Sequence, residues 1–462
     1  MNNRINVYYS EWLALLPLAL FIVGAMYLGL SGSPDEKGFW PIITAALSVA
    51  LLISKDKDVF AKYVIAGMAS NLVMIMVAAW LFSSIIGVFL SEAGVVSALV
   101  EYYKSLGLGG GGFVFGVFIV AAIIGTSTGT AVGTVLIVTP VLFEAGLNIG
   151  CDEYYLIGAI LGGAAFGDDF SPLSDTTIAS ASTQNINIGR SVKSRIKYAL
   201  SAAIPASLVF ILFGGNNNEI ATLSSNESSL LPLIMLVAPA TVVYLCLMGR
   251  HILYALLAGI IVSLATSLGF GLIEFNQVFS LDPDNFSAKS IIIDGMNKGV
   301  GISVFSILLM GLVSFVMMSG VIEKLLSMLF HRISSLRVAE FIIVFLTIFI
   351  NTLLAHNTIT IMAVGEVVRD ISNKYQINSY RASNLMDISA NTVMHMFPYM
   401  ITVVLAASVA NGILKDGRQI DLIAAGFHNF HSIFLLVVAI VVSFTGIWLK
   451  ADERYLAQEK ES

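Results

Sequence analysis

Between Ala164 and Thr177 the chain reads A-A-F-G-D-D-F-S-P-L-S-D-T-T, and this stretch limits the possible folds more than any other. Three carboxylates, Asp168, Asp169 and Asp175, fall within eight residues, beside Gly167, Pro172 and four hydroxyls. An apolar run from Tyr155 to Phe166 leads straight into it. Pro172 lacks a backbone N–H and clashes with the preceding turn, and Gly167 weakens a helix just before it. A helix carrying this sequence is therefore expected to unwind. Ionisable groups are costly in lipid and mark function when they occur there. Unwound backbone at that depth persists only where it lines a polar cavity or packs inside protein. The stretch reads as a cation site in a broken helix. The plainer alternative is a surface turn between two spans, which would also explain Gly, Pro, Ser and Asp together.

The rest of the chain favours membrane depth. Of 462 residues, 57% are hydrophobic and 12% charged, with a mean hydropathy of +0.87; soluble domains carry roughly 25% charged residues. An all-α polytopic membrane protein is expected, with the lipid bilayer as its surroundings and no nucleic acid among its partners. Cys151 and Cys246 offer no disulfide framework and no metal-ligand spacing. The net charge of −6 says little about partners. The run Trp12 to Leu30 is long enough to span and shows no small-x-small cleavage site, so it reads as a retained first helix.

Single crossings are expected at 12–31, 38–54, 64–88 and 196–214, then, after a polar loop at 215–228, at 229–248, 251–270, 299–320 and 431–449. Two further crossings are broken: 154–182, through the acidic stretch, and 382–410, through His395-Met396-Phe397-Pro398. In 110–145 the apolar run is interrupted at Gly125–Thr130, and in 338–372 at Ala355-His356-Asn357-Thr358. Each arm of these two segments is about 14–18 residues, or ~21–27 Å of helix, short for a core of ~30 Å. Both read as re-entrant hairpins with polar tips near the midplane, with a pair of ordinary spans or long broken helices as the alternative. Segments 91–106 and 321–336 are amphipathic and suit the membrane interface.

Positive charge orients this map. With the N-terminus inside, 18 Lys and Arg fall on the inside and 6 (Lys37, Lys104, Lys289, Lys298, Lys415, Arg418) on the outside, as the positive-inside rule requires. That gives ten crossings, two hairpins and both termini in the cytoplasm of a multi-pass cell (plasma) membrane protein.

The halves echo each other. Leu15-Leu16-Pro17-Leu18 recurs as Leu230-Leu231-Pro232-Leu233, Ala66-Gly67-Met68 as Asp294-Gly295-Met296, Ala131-Val132-Gly133 as Ala363-Val364-Gly365, and Pro172 as Pro398. The offsets are 215, 228, 232 and 226. The expected plan is an inverted repeat, 1–214 and 229–462, each half with five transmembrane helices plus one re-entrant hairpin, and with broken helices at the midplane. Such repeats put substrate and coupling-ion sites where the halves meet.

Two sites follow. The first combines the tip residues Thr126, Ser127 and Thr128 with Asp168, Asp169, Ser171, Ser174, Asp175 and Thr176. Oxygen donors of this kind are hard ligands suited to Na⁺, here assigned to Asp168, Ser171 and Asp175. A carboxylate drawn out of water also holds its proton more readily, so Na⁺ and H⁺ can compete for one site. Asp175 has a second reading as a helix cap. The second site combines His356, Asn357, Thr358 and Thr360 with Asp387, Asn391, Thr392 and His395. Amides and hydroxyls there offer neutral ligands, and His titrates near neutrality, although a histidine in an apolar run is commonly a hydrogen-bonded core residue. Glu144 and Glu366 receive no role. Gly109 to Gly112 suits close helix packing and lacks the Lys of a phosphate loop.

The run Gly167-Asp168-Asp169-Phe170-Ser171-Pro172-Leu173-Ser174-Asp175-Thr176-Thr177 resembles the G-D-K-x-S-P-L-S-D-T-T of the NhaC family of sodium/proton antiporters, within the broader ion-transporter superfamily. The tip at Gly125–Thr134 is similar to that family's G-S-S-x-x-T-A-G-T-V, without its Trp. The resemblance implies Asp168, Ser171, Ser174, Asp175 and Thr176 as site positions, and a homodimer by resemblance alone. Asp169 stands where the family often has Lys, and Ala355-His356-Asn357-Thr358 replaces an acidic T-G-D-Q-like tip.

The leading expectation is a secondary transporter exchanging Na⁺ for H⁺ by alternating access. It needs no cofactor beyond Na⁺ and H⁺ as transported or coupling ions, and it is not an enzyme. The alternative is Na⁺- or H⁺-coupled transport of an amino acid or organic acid on the same scaffold. An anionic solute calls for an Arg or a half-helix N-terminus, and the sequence suggests no Arg at the midplane. An intramembrane aspartyl protease using Asp168 with Asp387 would want Gly-x-Gly-Asp, which Ala165-Phe166-Gly167-Asp168 breaks. A channel suits hairpins and inverted repeats less well than alternating access does.

Overall fold

Helices appear where the apolar runs lie, and polar caps set their ends. The computed structural model describes residues 4–30, 36–105, 109–172, 174–215, 229–248, 250–282, 287–330, 333–414 and 418–449. Most of the 215–228 loop and the lysines and arginine beyond 449 lie outside the described residues. The first helices are α1 (Leu15–Leu30), α2 (Phe39–Ile53), α3 (Lys57–Met68), α4 (Asn71–Glu92) and α5 (Val95–Ser105). Then come α6 (Gly110–Thr128), α7 (Ala131–Val138), α8 (Glu144–Ile149), α9 (Glu153–Phe170), α10 (Asp175–Thr183) and α11 (Ile188–Phe213). Next are α12 (Val237–Leu247), α13 (Ile252–Gly269), α14 (Phe275–Val278), α15 (Ile291–Met318) and α16 (Val321–Phe330). The last are α17 (Leu336–Leu354), α18 (Asn357–Tyr375), α19 (Ser379–Met394), α20 (Ile401–Asn411), α21 (Leu422–Phe427) and α22 (Phe430–Thr445). Asp56, Ser70, Asn187, Ser335, Asp421 and Asn429 cap their helices through side-chain oxygens, satisfying backbone N–H groups that have no intrahelical partner. Among the described residues a short two-stranded antiparallel ribbon, β1 (Ser280–Asp282) and β2 (Ser287–Lys289), accompanies the helices.

Among the described residues, seven helical segments are long and apolar enough to cross a membrane, and five shorter apolar helices accompany them. The protein is an all-α polytopic membrane protein. Both expected breaks are present: α9 stops at Phe170 and α10 starts at Asp175, and α19 stops at Met394 before α20 starts at Ile401. Both expected tips are tight turns. Gly129 (φ 66°) and Ala355 (φ 50°) take the left-handed conformation that reverses the chain between α6 and α7 and between α17 and α18.

The arms are longer than expected. α6, α17 and α18 each have 19 residues, and α7 runs through a π-helical turn at Thr139–Phe143 into α8, an apolar helical stretch of 19 residues. At ~1.5 Å per residue, 19 residues reach ~28 Å, so arm length does not argue for re-entrance. Thr126, Ser127 and Thr128 stay in the last turn of α6, where the sequence reading had them in the tip. β-branched and hydroxyl residues continue a helix when its neighbours pack well.

Close packing of small residues brings the breaks together. A Cβ on Gly167 would lie 2.6 Å from Gly125 Cα and from Thr126 N, so α6 and α9 touch backbone to backbone just before both interruptions. A Cβ on Gly111 would lie 2.1 Å from the Ile211 carbonyl oxygen, which seats the start of α6 on the end of α11 as the glycine run suggested.

The loops sort to two ends. At one end Val7 bridges Ser54, Ile5 N donates to Met318 O (2.8 Å), and Tyr375 Oη donates to Ile333 O (2.8 Å). At the other, Cys151 bridges Gly215 and Arg418 pairs with Glu153 (3.3 Å). Two arginines counted as loop charges are interior. Arg381 is fully buried and forks onto both oxygens of Glu340 (2.6 and 2.9 Å), tying α19 to α17. Arg195, 1% exposed, reaches the acidic stretch. Removing both from the count leaves 16 against 6, so the charge bias persists.

Candidate functional site

The break after α9 folds back on itself. Ser171 N donates to Asp168 O and Ser174 N to Ser171 O, each at 3.3 Å, and Ser171 serves as the C-cap of α9. Pro172 cannot donate, and the turn uses that freedom. Asp168, 3% exposed, accepts from Ser174 Oγ (2.9 Å) and Thr176 Oγ1 (3.3 Å), and those two hydroxyls lie 2.8 Å apart. Ser174 holds the N-cap position of α10, yet its hydroxyl serves Asp168 rather than the helix. Asp175 is therefore not the cap. It stands in the first turn of α10, where the helix dipole favours a negative charge, and its carboxylate accepts from Thr358 Oγ1 at 2.6 Å.

That last bond joins the two expected sites. Asn357 Nδ2 donates to Asn391 Oδ1 (2.9 Å), and Asn391 Nδ2 donates to Asp169 Oδ1 (2.6 Å). The residues expected as two sites form one connected cluster, with the turn after α17 against the break after α9. Thr360 lies behind it, donating to Asn351 Oδ1 (3.1 Å), while Asn351 Nδ2 holds the Ala390 carbonyl (2.6 Å). Thr392 donates to its own helix at Ser389 O.

The three acids have separate surroundings. Asp168 and Asp175 line a small cavity of about 50 Å³ together with Thr130, His356, Asn357 and His395. Asp169 turns the other way, as adjacent residues on a helix must, with Oδ2 left without a hydrogen-bond partner among the described residues. Its backbone carbonyl accepts from Arg195 (3.1 Å). Arg195 spends its other donors on Thr177 Oγ1 (2.8 Å), Ser180 Oγ (3.3 Å), Asn384 Oδ1 (3.3 Å) and Asp387 Oδ2 (2.7 Å). Asp387 is thus held by Arg195 and by Ser180 Oγ (2.6 Å), outside the cavity lining.

The histidines face the cavity with unused nitrogens. Both ring nitrogens of His356 lack a partner among the described residues, and so does His395 Nε2. Thr402 Oγ1 donates to Met394 O (2.6 Å) and lies 3.0 Å from His395 Nδ1. With that hydroxyl proton committed, Nδ1–H must be the donor to Thr402, which leaves Nε2 with a lone pair. Buried polar atoms without partners are uncommon and call for a ligand or water. Groups of three or more His, Cys, Asp and Glu spaced for a metal are absent among the described residues, whereas oxygen donors are plentiful.

Thr126 and Thr128 donate to the carbonyls of Ala122 (2.8 Å) and Ile124 (2.9 Å) in their own helix. The Ser127 side chain lies outside the described residues. Thr130, at the N-cap of α7, is the residue of this turn that lines the cavity. Sequence reasoning places Thr130 in the Thr126–Thr130 tip of the first site but misses Arg195, Ser180, Thr177 and Asn384. One signal was present: Ser191, Ser194, Arg195, Tyr198 and Ala202 recur at helical spacing on the buried face of α11, while Lys193 is on its exposed face. The charge-rich run R-S-V-K-S-R-I-K masks that pattern.

Over 390 residues the chain is 23% identical to the Na⁺/H⁺ antiporter NhaC of Alkalihalophilus pseudofirmus, covering 79% of each protein. It is 25% identical over 233 residues to the malate-2H⁺/Na⁺-lactate antiporter of Bacillus subtilis and spans 48% of that relative's length. It is also similar in structure to the YdaH transporter of Alcanivorax borkumensis, with 14% identity, a TM-score of 0.45, and coverage of 96% of this chain and 98% of that one. The model of the Na⁺/H⁺ antiporter family matches residues 11–215 and 216–447, nearly the whole chain, and the protein belongs to that family.

Proposed function

We propose that this protein exchanges Na⁺ for H⁺ across the plasma membrane by alternating access, with Asp168 and Asp175 as the carboxylates that the two cations share. The observation that carries the reading is the cavity of about 50 Å³ between them. A water needs ~10–15 Å³ by the same kind of measure, and organic ligands occupy pockets of roughly 300–1,000 Å³. The space suits a cation keeping a few waters. Asp168 and Asp175 supply the hard carboxylate oxygens and Thr130 a hydroxyl from the same wall. Ser174 and Thr176 orient Asp168 by donating to it. Ser171, expected as a ligand, caps α9 outside the cavity lining. Either Na⁺ or a proton neutralises the buried carboxylate, and competition between them couples the two flows. The two acids lie on one broken helix and the partner of Asp175 on α18, so a shift between the halves alters the site. We read 1–214 and 229–462 as inverted halves with both termini cytoplasmic. The support is the repeated order of turn-joined helix pair and broken helix, and the 16-to-6 charge bias.

A second reading, Na⁺- or H⁺-coupled transport of an organic acid, draws support from the free nitrogens of His356 and from the malate/lactate relative. Against it, every donor of Arg195 is engaged outside the cavity.

In proteoliposomes with an internal pH dye, external Na⁺ should drive proton efflux. Asp168→Asn and Asp175→Asn should each slow it by about tenfold or more, which requires a loss of only ~1.4 kcal/mol. No proton movement with Na⁺, Li⁺ or K⁺, in protein shown to be folded, would end the reading. Uptake of labelled malate or lactate that depends on Na⁺ and is lost in His356→Ala would put the second reading first.

A further inference from the structure

A second cavity, of about 440 Å³, lies outside the site described above. Glu144, Lys37, Lys298 and Asn297 line it, together with Ser91 and Ser408. Three structural elements contribute to both cavities. α4 gives Met76 to the small one and Ser91 to the large one. The α7–α8 stretch gives Val132 and then Pro140 and Glu144, and α20 gives Thr402 and then Ser408. Six positions on α20, eight on the α7 stretch and fifteen on α4 separate these residues, or ~9–22 Å of helix between the two cavity walls.

Between them the helices are closely packed. α7 and α20 pack together, and Gly133 to Val138 and Ile401 to Ala407 are all buried. The π-helical turn Thr139–Phe143 sits at the outer end of this seam, with Pro140 on the cavity wall. π-turns of this kind recur at functional positions in helices. The large cavity also opens at one particular end of the molecule. Lys37, Ser91 and Asn411 fall on a short turn or at helix ends of the lysine-poor side in the charge map, and Lys298 lies two turns into α15 from that side.

We propose that the large cavity is the external vestibule through which hydrated Na⁺ reaches Asp168 and Asp175, and that the α7–α20 seam is its closed gate. Glu144 supplies a carboxylate at the entrance beside the ammonium groups of Lys37 and Lys298. The closely packed seam, in which the Thr134 and Thr402 hydroxyls are spent on backbone carbonyls, stops ions until α7 and α20 part. The inference rests on the exchange reading above.

The test uses single cysteines in a background with Cys151 and Cys246 replaced by Ser, and a membrane-impermeant maleimide. Ser91→Cys and Ser408→Cys should be modified from the external face, and modification should cut Na⁺-driven proton flux by roughly tenfold or more. Leu405→Cys, in the seam, should react at least about tenfold more slowly, as expected if the open state is a minor one. Asn276→Cys, exposed on the same side but away from the cavity, should be modified with flux retained. Full modification of Ser408→Cys with undiminished flux would overturn the proposal, as would modification of Ser91→Cys and Ser408→Cys from opposite faces. Absence of Na⁺-driven flux in the unmodified wild type would instead count against the exchange reading itself.

Discussion

Arg195 shows how one residue can govern a site that it does not line. Its guanidinium makes five contacts, to Asn384, the Asp169 carbonyl, Thr177, Ser180 and Asp387. Those partners sit on α9, α10 and α19, so one side chain on α11 fixes the relation of the broken helix to the second half. Taking away one member of a buried ion pair strands the other, at a cost of roughly 3–5 kcal/mol. Arg195→Ala should therefore lower the unfolding temperature in detergent sharply, and Arg195→Lys should recover little because one ammonium cannot reach five partners. The double change Arg195→Leu with Asp387→Leu should be milder than Arg195→Ala, since no charge is left unpaired. Unfolding of Arg195→Ala at the wild-type temperature would show that the pair contributes nothing to stability.

Among the elements, the contact of α6 with α9 matters most for the site. Gly125 and Gly167 meet one turn before the two interruptions, so their separation sets where Thr130 stands relative to Asp168. A methyl at Gly167 would meet backbone atoms at 2.6 Å, and no rotamer relieves that. Overpacking of this kind costs about 1–3 kcal/mol. Gly167→Ala is expected to lower both the thermal midpoint and exchange activity. Gly116→Ala, where a Cβ would meet nothing within 4 Å, is the matched control on α6 and should behave as wild type. Equal behaviour of the two variants would mean that the helices can separate without consequence.

At the scale of the whole molecule, a ligand that binds only the folded state raises its stability, by ~2.7 kcal/mol at a hundred times its dissociation constant. Na⁺ at constant ionic strength should accordingly raise the unfolding temperature of the wild type, with a bulky organic cation as the replacement salt. Asp168→Asn should lose that increment while Arg418→Gln, at an exposed pair far from the cavity, keeps it. A Na⁺ increment of the same size in Asp168→Asn would place the cation elsewhere.

Hydrophobic runs and their interruptions determine most of the fold directly. An apolar helix of a given length has one stable setting in lipid, and Gly129, Ala355, Pro172 and Pro398 stand at or beside the turns and breaks because backbone conformation is a local property. The acids and the second polar turn were legible for the same reason, as polar groups that lipid does not tolerate. Local pattern could not decide which of those groups face one another. Asp168 and Asp169 look alike in the sequence, yet one lines the cavity and the other meets Asn391, 222 positions away. Arg195 reads as a loop charge because neighbouring lysines share its run, and only the packing of α11 against α10 and α19 turns it inward. In α6 the helix runs on past the expected break, with Thr126 and Thr128 bonding to carbonyls within their own helix. Two expected sites became one because Thr358 reaches Asp175, a contact across 183 residues that follows from how the halves pack and from no feature of either segment alone.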